Sequence, residues 1–298
     1  MKIAIIVIII ILALIVAAGF GVSSFMFGGR RQTLAEARAW QEERTDLSWY
    51  DFIAKASYTV KSFDGYELHV ECLRNPAPTD DYVIISHGFT DNRMGALKYG
   101  QIYLDLGFNL IVYDLRGHGE NEPSRVTYTL KERKDLRDLI KDTRRRFDNV
   151  RRLGLHGESL GAATSIAVLN YQPEVDFVVS DCAFSDIDKV LRDGLKANHI
   201  PGFVLSLGEF FAKLRFKVDV KDMRPIESLE GNRVPVLFIH GQADELIPAY
   251  HAEAMVAVTA GYKDLRLMPG AGHAVSVFAD PAAYKGFVKE FLDNVYTQ

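Results

Sequence analysis

The sequence predicts an α/β protein: a mainly parallel sheet with helices on both faces, preceded by a membrane-spanning helix. Three observations carry this. Short, nearly continuous apolar runs recur along the chain, as in YVIISHG, NLIVYDL and PVLFIHG, with helical stretches between them. Strands that are apolar throughout, rather than alternating, belong to parallel sheets buried on both faces. And the run Ile3–Phe20, without charge or proline, is unlike anything that follows.

That run comes first. Eighteen residues at about 1.5 Å each reach roughly 27 Å, close to the hydrocarbon thickness of a bilayer. It is apolar on every face, which a core helix of a small domain is not. Residues 1–27 are therefore expected to form an anchor, ended by Arg30 and Arg31. Ala17-Ala18-Gly19 offers a cleavage site, so the alternative is a signal peptide and a secreted product. Lys2 on one flank and the two arginines on the other leave orientation open, with the globular domain expected on the extracytoplasmic side.

Residues 28–56 are expected to be a juxtamembrane connector. Thr33-Leu34-Ala35-Glu36 fits a capping box, and ARAWQEER is rich in helix formers. Trp40, Trp49, Tyr50 and Phe52 are expected to dock it on the globular body. From residue 57 to 298 the α/β pattern takes over. YTVKSF and YELHVECL flank Asp64-Gly65, a hairpin signal. Helices are expected around Leu97–Leu106, in LKERKDLRDLIKDTRRRF, after Ser159, around Ala249–Ala260 and near Ala282–Tyr296.

Composition excludes several roles. The formal charge is 35 − 39 = −4, which gives no signature of nucleic-acid binding. No CxxC, HExxH or phosphate-binding glycine loop occurs, so neither a metal nor a nucleotide cofactor is indicated. Two cysteines, Cys72 and Cys182, make no disulfide framework.

The strand ends carry the chemistry. Gly157-Glu158-Ser159-Leu160-Gly161 lies between a strand and a helix, where a sharp turn lifts the serine hydroxyl clear of the sheet. A serine is a poor nucleophile at neutral pH and needs a base. Of eight histidines, His273 in PGAGHAVSV is free to reach it from the last strand's loop. His156 and His240 sit beside strand-end glycines as packing residues, and His87 flanks the loop after the third strand. His118, His199 and His251 are expected on the surface or in loops. Asp244 in LFIHGQADELIP is the carboxylate expected to orient His273, with Asp181 as its rival. Backbone N–H groups of Phe89 and Leu160 are placed to hold an oxyanion. Glu158 points elsewhere, as a supporting residue.

SHGFTDN, VYDLRGHGENE, GLHGESLGA, FIHGQADELIP and GAGHAV together resemble the α/β-hydrolase superfamily, whose chain order of nucleophile, acid and base is Ser, Asp, His. SDCAFSD and the segment after it resemble, more narrowly, the bacterial peptidase S9-like and BEM46-like esterase group. The resemblance covers residue 57 to the end. It implies an eight-stranded sheet ordered 1-2-4-3-5-6-7-8, hydrolysis through a covalent acyl-serine, and a structural role for the turn Asp114–Gly119. The expected activity is cleavage of small or medium carboxylic esters. Peptidase or acyl-protein thioesterase action on the same groups is the alternative, and a non-catalytic hydrolase-like binding protein the alternative of another class. Residues 186–225 are expected to form a short lid. Phe203, Phe210, Phe211 and Leu214 on its second helix are expected to line the substrate pocket.

Overall fold

The computed structural model describes residues 1–297. The chain opens with α1 (Lys2–Phe27), about 39 Å long at 1.5 Å per residue. It is long and apolar enough to cross a membrane. Its residues up to Ala18 stand clear of the rest of the molecule, whereas Gly19, Ser23, Met26 and Phe27 are buried against it.

Residues after α1 fold back against the body. Thr33 caps α2 (Leu34–Glu42): its N–H donates to Glu36 Oε2 at 2.8 Å, and its Oγ1 accepts from the Glu36 N–H at 3.2 Å. The short α3 (Ser48–Phe52) follows. Tyr50 is buried and donates to Glu71 at 2.7 Å, and Trp40 packs edge-on against Phe278. Phe52 is exposed instead, projecting from the outer side of α3.

Two antiparallel strands, β1 (Lys55–Lys61) and β2 (Glu67–Leu73), lead into β3 (Asp81–Ser86). The short helices α4 (Arg93–Ala96) and α5 (Gly100–Asp105) precede β4 (Asn109–Tyr113). Then come α6 (Glu132–Arg146), β5 (Arg152–Glu158), α7 (Leu160–Ala167) and β6 (Phe177–Asp181). The lid segment forms α8 (Ile187–Ala197) and α9 (Phe203–Phe216). The chain closes with β7 (Val236–Gly241), α10 (Tyr250–Val258), β8 (Lys263–Met268), α11 (Ser276–Ala279) and α12 (Pro281–Thr297).

The eight strands lie in the order β1-β2-β4-β3-β5-β6-β7-β8, as the resemblance implied. Every pair from β4 onward through β8 is parallel, and β2 runs antiparallel to both its neighbours. Successive residues of a strand face opposite layers. Ile84 therefore joins Leu136 and Leu139 of α6 and Ile166 of α7 on one side. Val83 and Ile85 join Tyr103 of α5 and Tyr284, Val288 and Phe291 of α12 on the other.

The cap is tied to the body through α1. Gly208 of α9 lies so close to α1 that a Cβ there would stand 2.6 Å from both Met26 Sδ and Val22 Cγ1. The rings of Phe20 and Phe211 are 5.5 Å apart. Arg215 donates to the Phe20 carbonyl at 2.9 Å and to Ser23 Oγ at 2.6 Å.

Cys72 lies in β2 and Cys182 just past β6, both buried and unbonded. Four inter-strand steps of about 4.8 Å put those strands roughly 19 Å apart, well beyond the ~7 Å between Cα atoms that a disulfide spans. Burial also pushes the Cys72 thiol up to about 11 and that of Cys182 well above its ordinary value. Ellman titration at pH 8 without reductant should find two thiols after denaturation and almost none before. A single mass shift for an intramolecular bond would contradict the topology.

Candidate active site

Five strand ends converge on one side of the sheet. β5 delivers Ser159, β7 delivers Asp244, and the loop after β8 delivers His273. β3 leads into Gly88-Phe89, and β6 ends at Asp181.

Ser159 has φ +51° and ψ −113°, a conformation that non-glycine residues rarely adopt. Close packing on both sides enforces it. A Cβ at Gly161 would come within 2.2 Å of the Ser86 carbonyl oxygen, and one at Gly157 within 2.4 Å of the Ala162 nitrogen. Strand and helix thus approach until only glycine fits, and the serine takes the bend. Its own N–H donates to the Asp181 carbonyl at 2.8 Å.

His273 bridges the other two groups. Its Nε2 lies 2.9 Å from Ser159 Oγ, and its Nδ1 lies 2.7 Å from Asp244 Oδ2. The second carboxylate oxygen of Asp244 accepts backbone N–H bonds from Leu246 at 3.0 Å and Ile247 at 2.8 Å. Burial pushes this carboxyl up. The donated hydrogen bonds of His240 and His273, with the charge His273 can carry, outweigh burial and hold it well below the usual range. The aspartate is an ionised partner for a protonated imidazole.

Asp181 stands elsewhere. It accepts from Tyr99 Oη at 2.9 Å and Tyr284 Oη at 3.0 Å. Tyr99 has one proton and two carboxylates to serve, because Glu158 lies 2.8 Å from the same hydroxyl. Burial, then the charge of Glu158, pushes Asp181 up to about 6. Glu158 points away from the serine hydroxyl and pairs with the buried ammonium of Lys98. The partly buried Asp91 is likewise raised to about 6, by burial first and Glu158 second. Nothing in the sequence marks Lys98 as the cation of this cluster, since it sits in an ordinary helical stretch.

The loop after β3 runs beside the serine. A Cβ on Gly88 would lie 3.7 Å from Ser159 Cβ. The N–H groups of Phe89 and Leu160 have no protein acceptor among the described residues. His87 is neutral and structural: burial, then the nearby His118, lowers it well below its ordinary value, and its Nε2 accepts from the Leu115 N–H at 2.9 Å. His118 lies in a loop as expected, though buried there, whereas His251 departs from expectation by lying in α10. Both are buried, His118 bonded to the Arg116 carbonyl at 2.9 Å and His251 to Ser185 Oγ at 2.8 Å. Asp114 anchors its turn by pairing with Arg93 and accepting from the Glu120 N–H at 3.0 Å.

A cavity of about 510 Å³ adjoins the site. It is lined by Val22 and Met26 of α1, Leu195 and Val204 of the cap, and Phe89 and Tyr128 of the body. The expected pocket residues lie elsewhere. Phe203, Phe210 and Leu214 form an outward stripe of α9, each more than 60% exposed, and Phe211 packs against α1. The inner stripe of α9 is Leu205, Gly208, Phe211 and Ala212.

The ligand atoms of Cys182, Asp244 and His273 lie within 4.8 Å of one another. Both imidazole nitrogens of His273 are already engaged, and burial keeps the Cys182 thiol protonated. These groups suit proton transfer better than metal binding.

Residues 83–286 match the alpha/beta hydrolase family. The family description that matches is that of these hydrolases at large. Protein YqkD of Bacillus subtilis is 32% identical over 253 residues, covering 83% of this chain and 82% of that one. A Saccharomyces cerevisiae membrane protein is 26% identical over 241 residues, 78% of either chain. Among solved structures, the Pyrococcus furiosus esterase Pf2001 superposes with a TM-score of 0.69 at 23% identity, covering 84% of this chain and 96% of that one. An Exiguobacterium antarcticum esterase gives 0.59 at 18% identity, covering 80% and 100%. At these identities the two structures establish a shared fold.

The buried carboxyls set a stability profile. A carboxyl harder to ionise in the fold than in the unfolded chain costs stability as pH rises from its ordinary value of 3.8 to about 6. For Asp181 the cost is on the order of 2–3 kcal/mol. Asp244 acts oppositely: its contribution is present above 3.8 and fades as pH falls toward its lower folded value. Melting temperatures by calorimetry should decline between pH 4 and about 6.5, and less steeply in Asp181→Asn. Parallel slopes in the two proteins would contradict the assignment.

Proposed function

The chain belongs to the alpha/beta hydrolase family, and from that premise we propose that it is a serine hydrolase cleaving carboxylic esters through an acyl-serine intermediate. The observation that carries this is the unbroken hydrogen-bonded run Asp244–His273–Ser159. In this reading His273 Nε2 takes the hydroxyl proton as Ser159 Oγ attacks the ester carbonyl carbon. Negative charge moves to the carbonyl oxygen, where the N–H groups of Phe89 and Leu160 receive it. The ester C–O bond then breaks, and His273 returns the proton to the leaving alcohol. Water, activated by the same imidazole, releases the acid and restores the serine. Asp244 holds the imidazole in the tautomer that presents Nε2 to the serine.

Esters suit the site better than a binding role without chemistry. A hydrolase-like binding protein is free to lose any of the three groups, and here all three are in hydrogen-bond contact. The bacterial and archaeal esterases of the same fold agree with ester cleavage, without fixing this chain's substrate.

The division into an anchor (1–27), a connector (28–56) and a hydrolase domain (57–298) with a cap at 186–225 is part of the same proposal. The exposed apolar length of α1 supports anchoring, as does the similarity to a yeast membrane protein.

Ser159→Ala should remove nearly all hydrolysis of p-nitrophenyl acetate with an unchanged circular dichroism spectrum. Asp244→Asn should cost about 10³–10⁴ in turnover, by analogy with the wrong-tautomer effect, and Asp181→Asn far less. A larger loss from Asp181→Asn would reverse the assignment of the acid. Separately, full-length protein should stay with membranes through a carbonate wash. A mature N-terminus near Phe20 would instead mean cleavage and secretion.

A further inference from the structure

The cavity beside the site is built from two parts of the chain that no sequence pattern links. Phe89 is one of its lining residues, and the neighbouring Gly88 lies against Ser159. One wall is the cap, with Leu195 and Val204. The opposite wall is the last two turns of α1, with Val22 and Phe25. These are the turns that follow directly on the exposed apolar length of α1. The lining is almost wholly carbon, and no charged residue contributes to it. Such a cavity has little to offer a polar leaving group and much to offer a hydrocarbon chain.

Its size and surroundings narrow the occupant. At roughly 30 Å³ per water-sized group, 510 Å³ has room for on the order of fifteen methylene-sized units. That exceeds what the short cap alone suggests, because α1 supplies the missing wall. Phe25 is 86% exposed, and Phe203 at the start of α9, next to the lining residue Val204, is 69% exposed. Phe210 and Leu214 continue this apolar surface along α9. Lys213, Arg215 and Lys217 lie in the last turn of α9 and just past it, Lys213 paired with Asp219 at 2.9 Å and Arg215 reaching the α1 backbone at Phe20. Apolar side chains edged by cations are what the boundary between acyl chains and headgroups accommodates.

We infer that the substrate is a long-chain acyl ester resident in the membrane, and that its acyl chain enters sideways from the bilayer between α1 and the cap. The inference rests on the serine-hydrolase reading and on α1 spanning a membrane. It makes the anchor a part of the substrate site. The chain lies along Val22 and Phe25 with its carbonyl end toward Phe89 and Ser159. The headgroup alcohol leaves on the aqueous side.

The test uses full-length protein in phosphatidylcholine vesicles, with p-nitrophenyl acetate added to the water and p-nitrophenyl palmitate dissolved in the bilayer. Gly21→Phe and Val204→Trp fill the cavity from opposite walls, and a Cβ at Gly21 meets nothing within 4 Å. Wild-type protein should prefer palmitate by kcat/KM. In both variants the palmitate-to-acetate ratio should fall about ten-fold or more, a size typical of misfit in an apolar pocket. Palmitate placed in separate, protein-free vesicles should be hydrolysed far more slowly than palmitate in the protein's own bilayer. An unchanged ratio in both variants, or equal rates from the two vesicle populations, would overturn the inference. Wild-type hydrolysis of acetate but not palmitate would overturn it while leaving the serine-hydrolase reading in place. Wild-type hydrolysis of neither ester would remove that reading and this one with it.

Discussion

The site depends on the contact between Gly161 and the backbone at Ser86. Helix α7 packs so tightly on the end of β3 that a single added carbon would lie 2.2 Å from a carbonyl oxygen. That approach forces the turn at Ser159 into positive φ, a strain of order 1–3 kcal/mol for a residue with a side chain. Relaxing it would swing the hydroxyl out of reach of His273. The surrounding sheet, buried on both faces, makes that relaxation costly. The strained serine and the packed core are therefore one arrangement.

Around that turn the structure sorts its carboxylates by environment. Asp244 accepts two backbone N–H bonds and an imidazole, so it stays ionised despite burial. Asp181 and Glu158 share one tyrosine proton behind the serine, with Lys98 as the neighbouring cation. The two aspartates sit at comparable strand ends, yet only Asp244 faces the imidazole. The cost of the second cluster shows in the raised ionisation of Asp181.

Much of this was legible from sequence because sheet topology orders chemistry. Strands such as Asp81–Ser86 and Val236–Gly241 declare themselves by nearly continuous apolar residues, and the polar groups after them must then share one edge. The α9 helix was harder. It has apolar residues on two stripes, and periodicity alone does not say which one faces inward; Leu205, Gly208 and Phe211 do, while Phe203, Phe210 and Leu214 do not. His118 is an isolated polar residue in a turn and His251 one at the start of α10, and nothing local signals the burial of either. The contribution of Val22 and Phe25 to the cavity was out of reach. It depends on packing between segments about 180 residues apart, marked in the sequence by no more than the glycines Gly19 and Gly208.

The central claim is that this geometry makes one serine hydroxyl unusually nucleophilic. Incubating the full-length protein with a fluorophosphonate at neutral pH and mapping the adduct by peptide mass spectrometry tests it most directly. The account predicts a single stoichiometric phosphonyl adduct on Ser159. No adduct, or an adduct at a different residue, would contradict it.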